Sequence, residues 1–180
     1  MSLSDQIAPY VEQIKIAYPD AILNETIFCG ETTLEVESKL IREILAFIKE
    51  GKERGYEVLM DLTAVDYLLP EPATHIVYLL HNPTTYARLR VFVRVKREGS
   101  TPSVCELWEG ANWYEREIYD LFGIKFTGHP DLRRILLPDE WKGHPLQRDH
   151  ALTEVPVEFK HNAKPKIPSK VIPDVAPTRS

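Results

Sequence analysis

The sequence predicts an α+β fold: a mainly antiparallel sheet with flanking helices, followed by an extended, Pro-rich C-terminal arm. Three observations carry this. Strand-like runs follow one another between residues 57 and 96 with only short turns between them. Helical periodicities stand before and after those runs. Eight of the fourteen prolines fall in residues 126–180, where a fixed φ and a missing backbone donor exclude long helices and central strands. Strands in succession with helices set outside them are the pattern of α+β rather than of alternating βαβ units.

The elements follow in order. Ile7, Val11 and Ile14, with Tyr10 at the border, make a short helical stripe that ends before Pro19. Ala21–Phe28 and Thr32–Val36 are rich in β-formers around Cys29-Gly30-Glu31 and predict a hairpin. Ser38 is placed to cap a helix running to about Arg54, with Leu40, Ile41, Ile44, Leu45 and Ile48 on its buried face and Gly55 closing it. Strands are expected at Glu57–Tyr67, His75–His81 and Ala87–Lys96. The last sets Leu89, Val91, Val93 and Val95 against Arg88, Arg90, Phe92, Arg94 and Lys96, as an antiparallel strand with one wet face does. A helical region is expected from about Ser103 to Phe122. The chain accordingly divides into an α+β core, residues 1–125, and a partner-binding arm, residues 126–180.

Charge divides at the same place. Residues 1–125 hold 13 Lys+Arg against 20 Asp+Glu, net −7, and residues 126–180 hold 9 against 7, net +2. A basic, proline-punctuated arm on an acidic domain suits a protein neighbour. Nucleic acid would require a stronger positive excess and interleaved aromatics. With 180 residues the chain can bury a core without metal or disulfide support. Cys29 and Cys105 stand far apart in no CxxC or Cys/His cluster and read as buried, reduced cytosolic thiols, with a single disulfide as the alternative. The N-terminus has no signal-peptide pattern, and no apolar run is long enough to span a bilayer. Membrane association is expected only through partners.

The densest chemistry lies in Trp113–Ile124. There Tyr114, Ile118 and Leu121 form an apolar stripe, Arg116 and Asp120 stand at i, i+4, and Gly123 supplies a stop. Glu115, Glu117 and Asp120 read either as a carboxylate cluster for proton work or as the solvated face of an amphipathic helix with intrahelical ion pairs. Two Gly-His-Pro tripeptides follow, at His129-Pro130 and His144-Pro145. With Asp149 they suggest either a metallohydrolase site or, more economically, turns whose rings bond backbone or carboxylate. There is no phosphate loop and no nucleophile elbow.

The run Glu115-Arg116-Glu117-Ile118-Tyr119-Asp120-Leu121-Phe122-Gly123, six further residues to His129, then Pro130-Asp131-Leu132-Arg133-Arg134-Ile135-Leu136, resembles the signature of the C subunit of respiratory complex I. Leu137-Pro138-Asp139-Glu140-Trp141-Lys142-Gly143-His144-Pro145-Leu146 continues it, and Asp61–Tyr67 and the strand with Tyr78 match more loosely. The resemblance covers about residues 35–150. It departs after Leu146, where Gln147, Arg148, Asp149 and His150 stand in place of two basic residues and an aromatic.

The resemblance implies a non-catalytic structural subunit in the peripheral arm of a proton-pumping NADH-quinone oxidoreductase, NDH-1, of the respiratory chain. The whole assembly passes electrons from NADH through FMN and iron–sulfur clusters to quinone, on the cytoplasmic side of a bacterial inner membrane. It implies no catalytic, cofactor-binding or metal residues in this chain, and two cysteines cannot supply a Cys₄ cluster. The partners implied are the quinone-chamber subunit and nearby iron–sulfur subunits. Glu115, Arg116, Glu117, Asp120, Phe122, Gly123, His129, Pro130, Arg133, Arg134, Trp141, His144 and Pro145 become interface-shaping residues. A related reading is the corresponding subunit of a membrane-bound nickel–iron hydrogenase or a ferredoxin- or F420-linked complex.

Overall fold

The computed structural model describes residues 3–51, 55–68 and 72–150. Helix α1 spans Leu3–Ala17, and strands β1 (Ile22–Phe28) and β2 (Glu31–Val36) form the expected hairpin. Its tip is a two-residue turn, Cys29 and Gly30, both at positive φ (52° and 80°), as a right-twisted hairpin prefers. Cys29 is therefore exposed rather than buried, and Cys105 is half-buried; both are free thiols. A 3-10 turn, Ser38–Leu40, leads into α2, Ile41–Lys49.

Ser38 does not cap that helix. Its hydroxyl instead donates to Thr101 Oγ1 at 3.1 Å. Nor does α2 run on to about Arg54: it stops at Lys49, and the chain folds back so that the Tyr56 N–H reaches the Ile48 carbonyl at 3.1 Å. Close packing explains the early stop. A Cβ at Gly51 would lie 2.4 Å from the Tyr10 ring, and one at Gly55 would lie 2.1 Å from the Lys49 carbonyl oxygen.

Strands β3 (Val58–Tyr67), β4 (Ala73–His81) and β5 (Arg88–Lys96) form an antiparallel meander, and β5 also pairs in parallel with β2. The sheet order is thus β1-β2-β5-β4-β3, mainly antiparallel as expected, with the hairpin joined to the meander by one parallel junction. Alternation decides its faces. Leu34, Leu62, Ile76, Tyr78, Leu80, Leu89, Val91 and Val93 turn inward and are all at most 2% exposed. They meet Ile7, Val11 and Ile14 of α1 and Ile41, Ile44, Leu45 and Ile48 of α2, the stripes visible in the sequence. The opposite face carries Arg88, Arg90, Arg94 and Lys96, with a ring stack of Tyr67, His75 and Phe92 whose centroids are 4.4 and 5.2 Å apart.

The third helix, α3, spans Ala111–Phe122 and lies between two short strands, β6 (Ser100–Pro102) and β7 (Lys125–Thr127), which pair in parallel. Helix was expected from Ser103. The segment 103–110 is instead irregular, because side-chain bonds to Glu115 hold its start in an open turn. Residues 126–150, assigned to an arm on composition, fall within the same compact unit as residues 1–125, which runs from Met1 to His150. Phe126 is 3% exposed in the core. Beyond that strand the chain lies on α3 with little regular structure of its own, as its prolines require. The rest of the expected arm, residues 151–180, lies outside the described residues.

Candidate functional site

Helix α3 carries one of its four charges outward and buries the other three. Glu115, Arg116 and Asp120 are buried, whereas Trp113 is 63% exposed and Glu117 is exposed. The expected apolar stripe is realised at Ile118, with Tyr114 and Leu121 partly buried at its margins.

Glu115 explains why the helix begins late. Its carboxylate accepts from Ser103 Oγ (2.7 Å), from the Val104 N–H (2.7 Å) and from Cys105 Sγ (3.4 Å). Those bonds give residues 103–105 an alternative to the helical ladder. Burial pushes the Glu115 carboxyl above its usual range, against the pull of these same bonds. Burial likewise pushes the Cys105 thiol up to about 11.

Arg116 makes no ion pair with Asp120. Its guanidinium stacks over Trp113, 5.0 Å from the ring centroid, and its Nε–H donates to the Arg133 carbonyl at 3.3 Å. Arg133 itself is exposed and pairs with Asp131 at 2.8 Å.

Asp120 is the anchor of the strap formed by residues 128–150. Its Oδ2 accepts the N–H groups of Ile135 (3.1 Å), Leu136 (2.8 Å) and Leu137 (2.9 Å), and its Oδ1 accepts Arg134 Nη1 at 2.8 Å. Burial alone would raise its pKa. The three N–H groups and the Arg134 guanidinium outweigh that and hold it below the ordinary carboxylate range.

The end of α3 is closed by the second Gly-His-Pro turn. A helix terminus leaves its last carbonyls without partners, and here the strap supplies them. His144 Nδ1–H donates to the Asp120 carbonyl (2.8 Å), the Leu146 N–H to Leu121 (3.1 Å) and Gln147 Nε2 to Phe122 (2.9 Å). Gly123 sits at φ 81°, and a Cβ there would lie 2.6 Å from His144 Cδ2. Both the backbone angle and the ring demand glycine.

His129, in the first Gly-His-Pro turn, accepts the Asp131 N–H on Nδ1 at 3.0 Å. Its Nε2 lies 3.3 Å from the Asn112 carbonyl and so carries the proton. Pro130 is exposed, Pro145 is half-buried, and Trp141 is half-buried with an indole N–H that has no hydrogen-bond partner.

A second anchor was not singled out from sequence. The side chain of Asp66, on the inward face of β3, is fully buried. It accepts Thr74 Oγ1 (3.2 Å), Arg97 Nε (3.2 Å) and the Arg148 N–H (3.0 Å), and Arg97 also pairs with Asp149 at 2.6 Å. One signal was available: Leu62, Ala64 and Asp66 share a strand face, and an acid on a core face must be paired. Its partners, 31 and 82 residues away, carry no local mark.

The structure does not assemble His129, His144 and Asp149 as a metal triad: His144 lies against the Asp120 carbonyl and Asp149 against Arg97, and their donor atoms do not gather with those of His129. Among the described residues, the group with metal-like spacing is Cys105, Glu115 and His129, whose donor atoms all lie within 4.8 Å of one another.

Residues 34–156 match the family described as respiratory-chain NADH dehydrogenase, 30 Kd subunit. The C subunit of NADH-quinone oxidoreductase from Roseiflexus sp. (strain RS-1) is 41% identical over 156 residues, spanning 86% of this chain and 90% of that one. The protein of the same description from Geotalea uraniireducens (strain Rf4) is 42% identical over 143 residues, 79% of this chain and 86% of its own. A chain of the membrane-bound sulfane sulfur reductase, an archaeal respiratory membrane complex, shares the fold with a TM-score of 0.69. It is 24% identical and covers 82% of this chain and 87% of that one.

Proposed function

We propose, from the premise that this chain belongs to the family of the 30 kDa subunit of respiratory-chain NADH dehydrogenase, that it is a framework subunit rather than a catalytic one. The family makes it a subunit of a multi-subunit NADH-quinone oxidoreductase, with the other subunits as partners. One observation supports the framework role. The signature carboxylates Glu115 and Asp120 are engaged by the chain's own backbone and side chains. A general acid or base must reach a proton on a substrate, and neither group is exposed.

In this reading the chain braces the quinone-chamber subunit and nearby iron–sulfur subunits. FMN and the clusters reside in other subunits of the complex, and electrons pass from NADH to quinone without entering this chain. Among the described residues no helix is long and apolar enough to cross a membrane. In this reading the chain attaches peripherally through its partners, on the cytoplasmic side of a bacterial inner membrane. The exposed Trp113, Glu117 and Arg133, and the outer turns of the strap, then form contact surface.

The test is NADH–quinone activity normalised to assembled complex on a native gel. Glu117→Gln, Asp120→Asn and His129→Ala are expected to lower the amount of complex while leaving turnover per complex near normal. Losing a partner for a buried charge costs about 3–5 kcal/mol of assembly or folding. Losing a general acid or base would instead slow turnover roughly 10²–10⁴-fold, and that result with normal assembly would overturn the reading. A second reading is the corresponding subunit of a membrane-bound nickel–iron hydrogenase or a ferredoxin- or F420-linked complex, and the fold shared with a chain of an archaeal respiratory membrane complex is compatible with it. Mass spectrometry of what co-purifies with the tagged chain separates the two.

A further inference from the structure

Three donors of different kinds converge where the loop before α3, the helix itself and the strap meet. We propose that Cys105, Glu115 and His129 form a binding site for one thiophilic divalent cation, zinc or a close relative. The sequence marks no metal ligand here, because the three residues belong to no spaced motif and come together only through the β6–α3–β7 unit.

The chemistry of the set carries the inference. Thiolate, imidazole and carboxylate are the donors that zinc takes, and a hard cation such as calcium or magnesium would want oxygen alone. A thiolate and a carboxylate together balance a 2+ charge. Around a tetrahedral zinc such donors stand about 3.4–3.6 Å apart. Cys105 Sγ already lies 3.4 Å from Glu115 Oε2, and all three donor atoms fall within 4.8 Å. Closing onto a cation therefore asks for movements of about an ångström, and three protein ligands leave a fourth position open.

The surroundings are built as ligand supports are. Ser103 Oγ and the Val104 N–H each hold the carboxylate at 2.7 Å. The imidazole is gripped on both sides, by the Asp131 N–H and the Asn112 carbonyl. Ligation through Nδ1 exchanges the Asp131 N–H for the cation, and the Nε2–H bond to the Asn112 carbonyl keeps the ring oriented, the arrangement usual for metal-bound histidine. Glu115 is wholly buried while Cys105 and His129 are partly exposed, so the site is sheltered and still reachable. Tyr78 stands near it: its hydroxyl is wholly buried without a well-formed hydrogen bond, and the Glu115 charge adds to the burial that raises its phenol.

The experiment is a titration of the purified full chain with Co²⁺, followed by displacement with Zn²⁺. One equivalent should bind with a thiolate-to-cobalt charge-transfer band, and X-ray absorption at the cobalt edge should count one sulfur. The band should survive Cys29→Ser, which removes the exposed thiol, and vanish in Cys105→Ser. His129→Ala should weaken binding at least as much as Ser103→Ala, for which loss of a carboxylate support predicts roughly 10–100-fold. Absence of the band in the unaltered chain would overturn the proposal whatever the variants do, and so would a band that disappears with Cys29 instead.

Discussion

At Asp120 one buried carboxylate meets three backbone N–H groups and a guanidinium, while the carbonyl of the same residue receives His144. Both halves of the strap thus close on a single residue, and Gly123 stands beside the second closure. Gly123→Ala is expected to destabilise the chain by about 2–3 kcal/mol, from the left-handed backbone and the displaced His144 bond. Urea unfolding of the single variants and of the Gly123→Ala/His144→Ala pair checks this. The pair should be less harmful than the sum, because removing the ring relieves the clash; strict additivity would show that His144 does not set the requirement. These residues were visible in the sequence as a dense signature. Their roles were not, since i, i+4 spacing suggested an Arg116–Asp120 pair and the structure gives each a distant partner.

Among the elements, the strands and the first two helices follow directly from periodicity, whereas α3 and the strap depend on buried charge. Asp66 and Asp120 both hold pKa values below the usual carboxylate range: burial opposes ionisation, and Arg97 with the Arg148 N–H, or Leu137, Leu136, Ile135 and Arg134, prevail over it. An acid depressed in the folded state contributes stability above its unfolded pKa, about 3.9, and loses it as pH falls through the folded value. Unfolding free energy should therefore fall as pH drops below about 4. Asp66→Asn and Asp120→Asn should each be less stable near neutrality and show a shallower decline below that pH. His75, lowered by burial and by Arg94, adds a separate loss at higher pH, so comparison with the amide variants isolates the aspartates. An unchanged acid slope in both variants would mean that these anchors do not hold the strap.

For the molecule as a whole, residues 128–150 are part of the folded unit and not an appendage. They close the end of α3 and partner both buried aspartates. A chain ending at Gly128 should accordingly be far less stable than one ending at His150. Asp120 would lose all its side-chain partners, a cost of about 3–5 kcal/mol. Asp66, which keeps Arg97 and Thr74, would lose the Arg148 N–H at about 1–3 kcal/mol. Together these are a large share of the roughly 5–15 kcal/mol that holds a domain. Thermal unfolding of the two truncated chains checks this; equal midpoints would restore the boundary that composition placed at residue 126.

What the sequence determined alone was the α+β class, the sheet faces, the two amphipathic helices and the family signature. Each rests on short-range information: alternation along β5, the stripes of α1 and α2, and a contiguous block of residues 113–146. What only the tertiary structure decided was where the charges go. Ser103 and Glu115, Asp120 and Leu136, Asp66 and Arg148 are 12, 16 and 82 residues apart. An isolated helix would place Glu115 and Asp120 in water. Buried polar groups must be paired, and the pairing that permits burial comes from distant backbone N–H groups, which every residue except proline carries and which no sequence pattern marks.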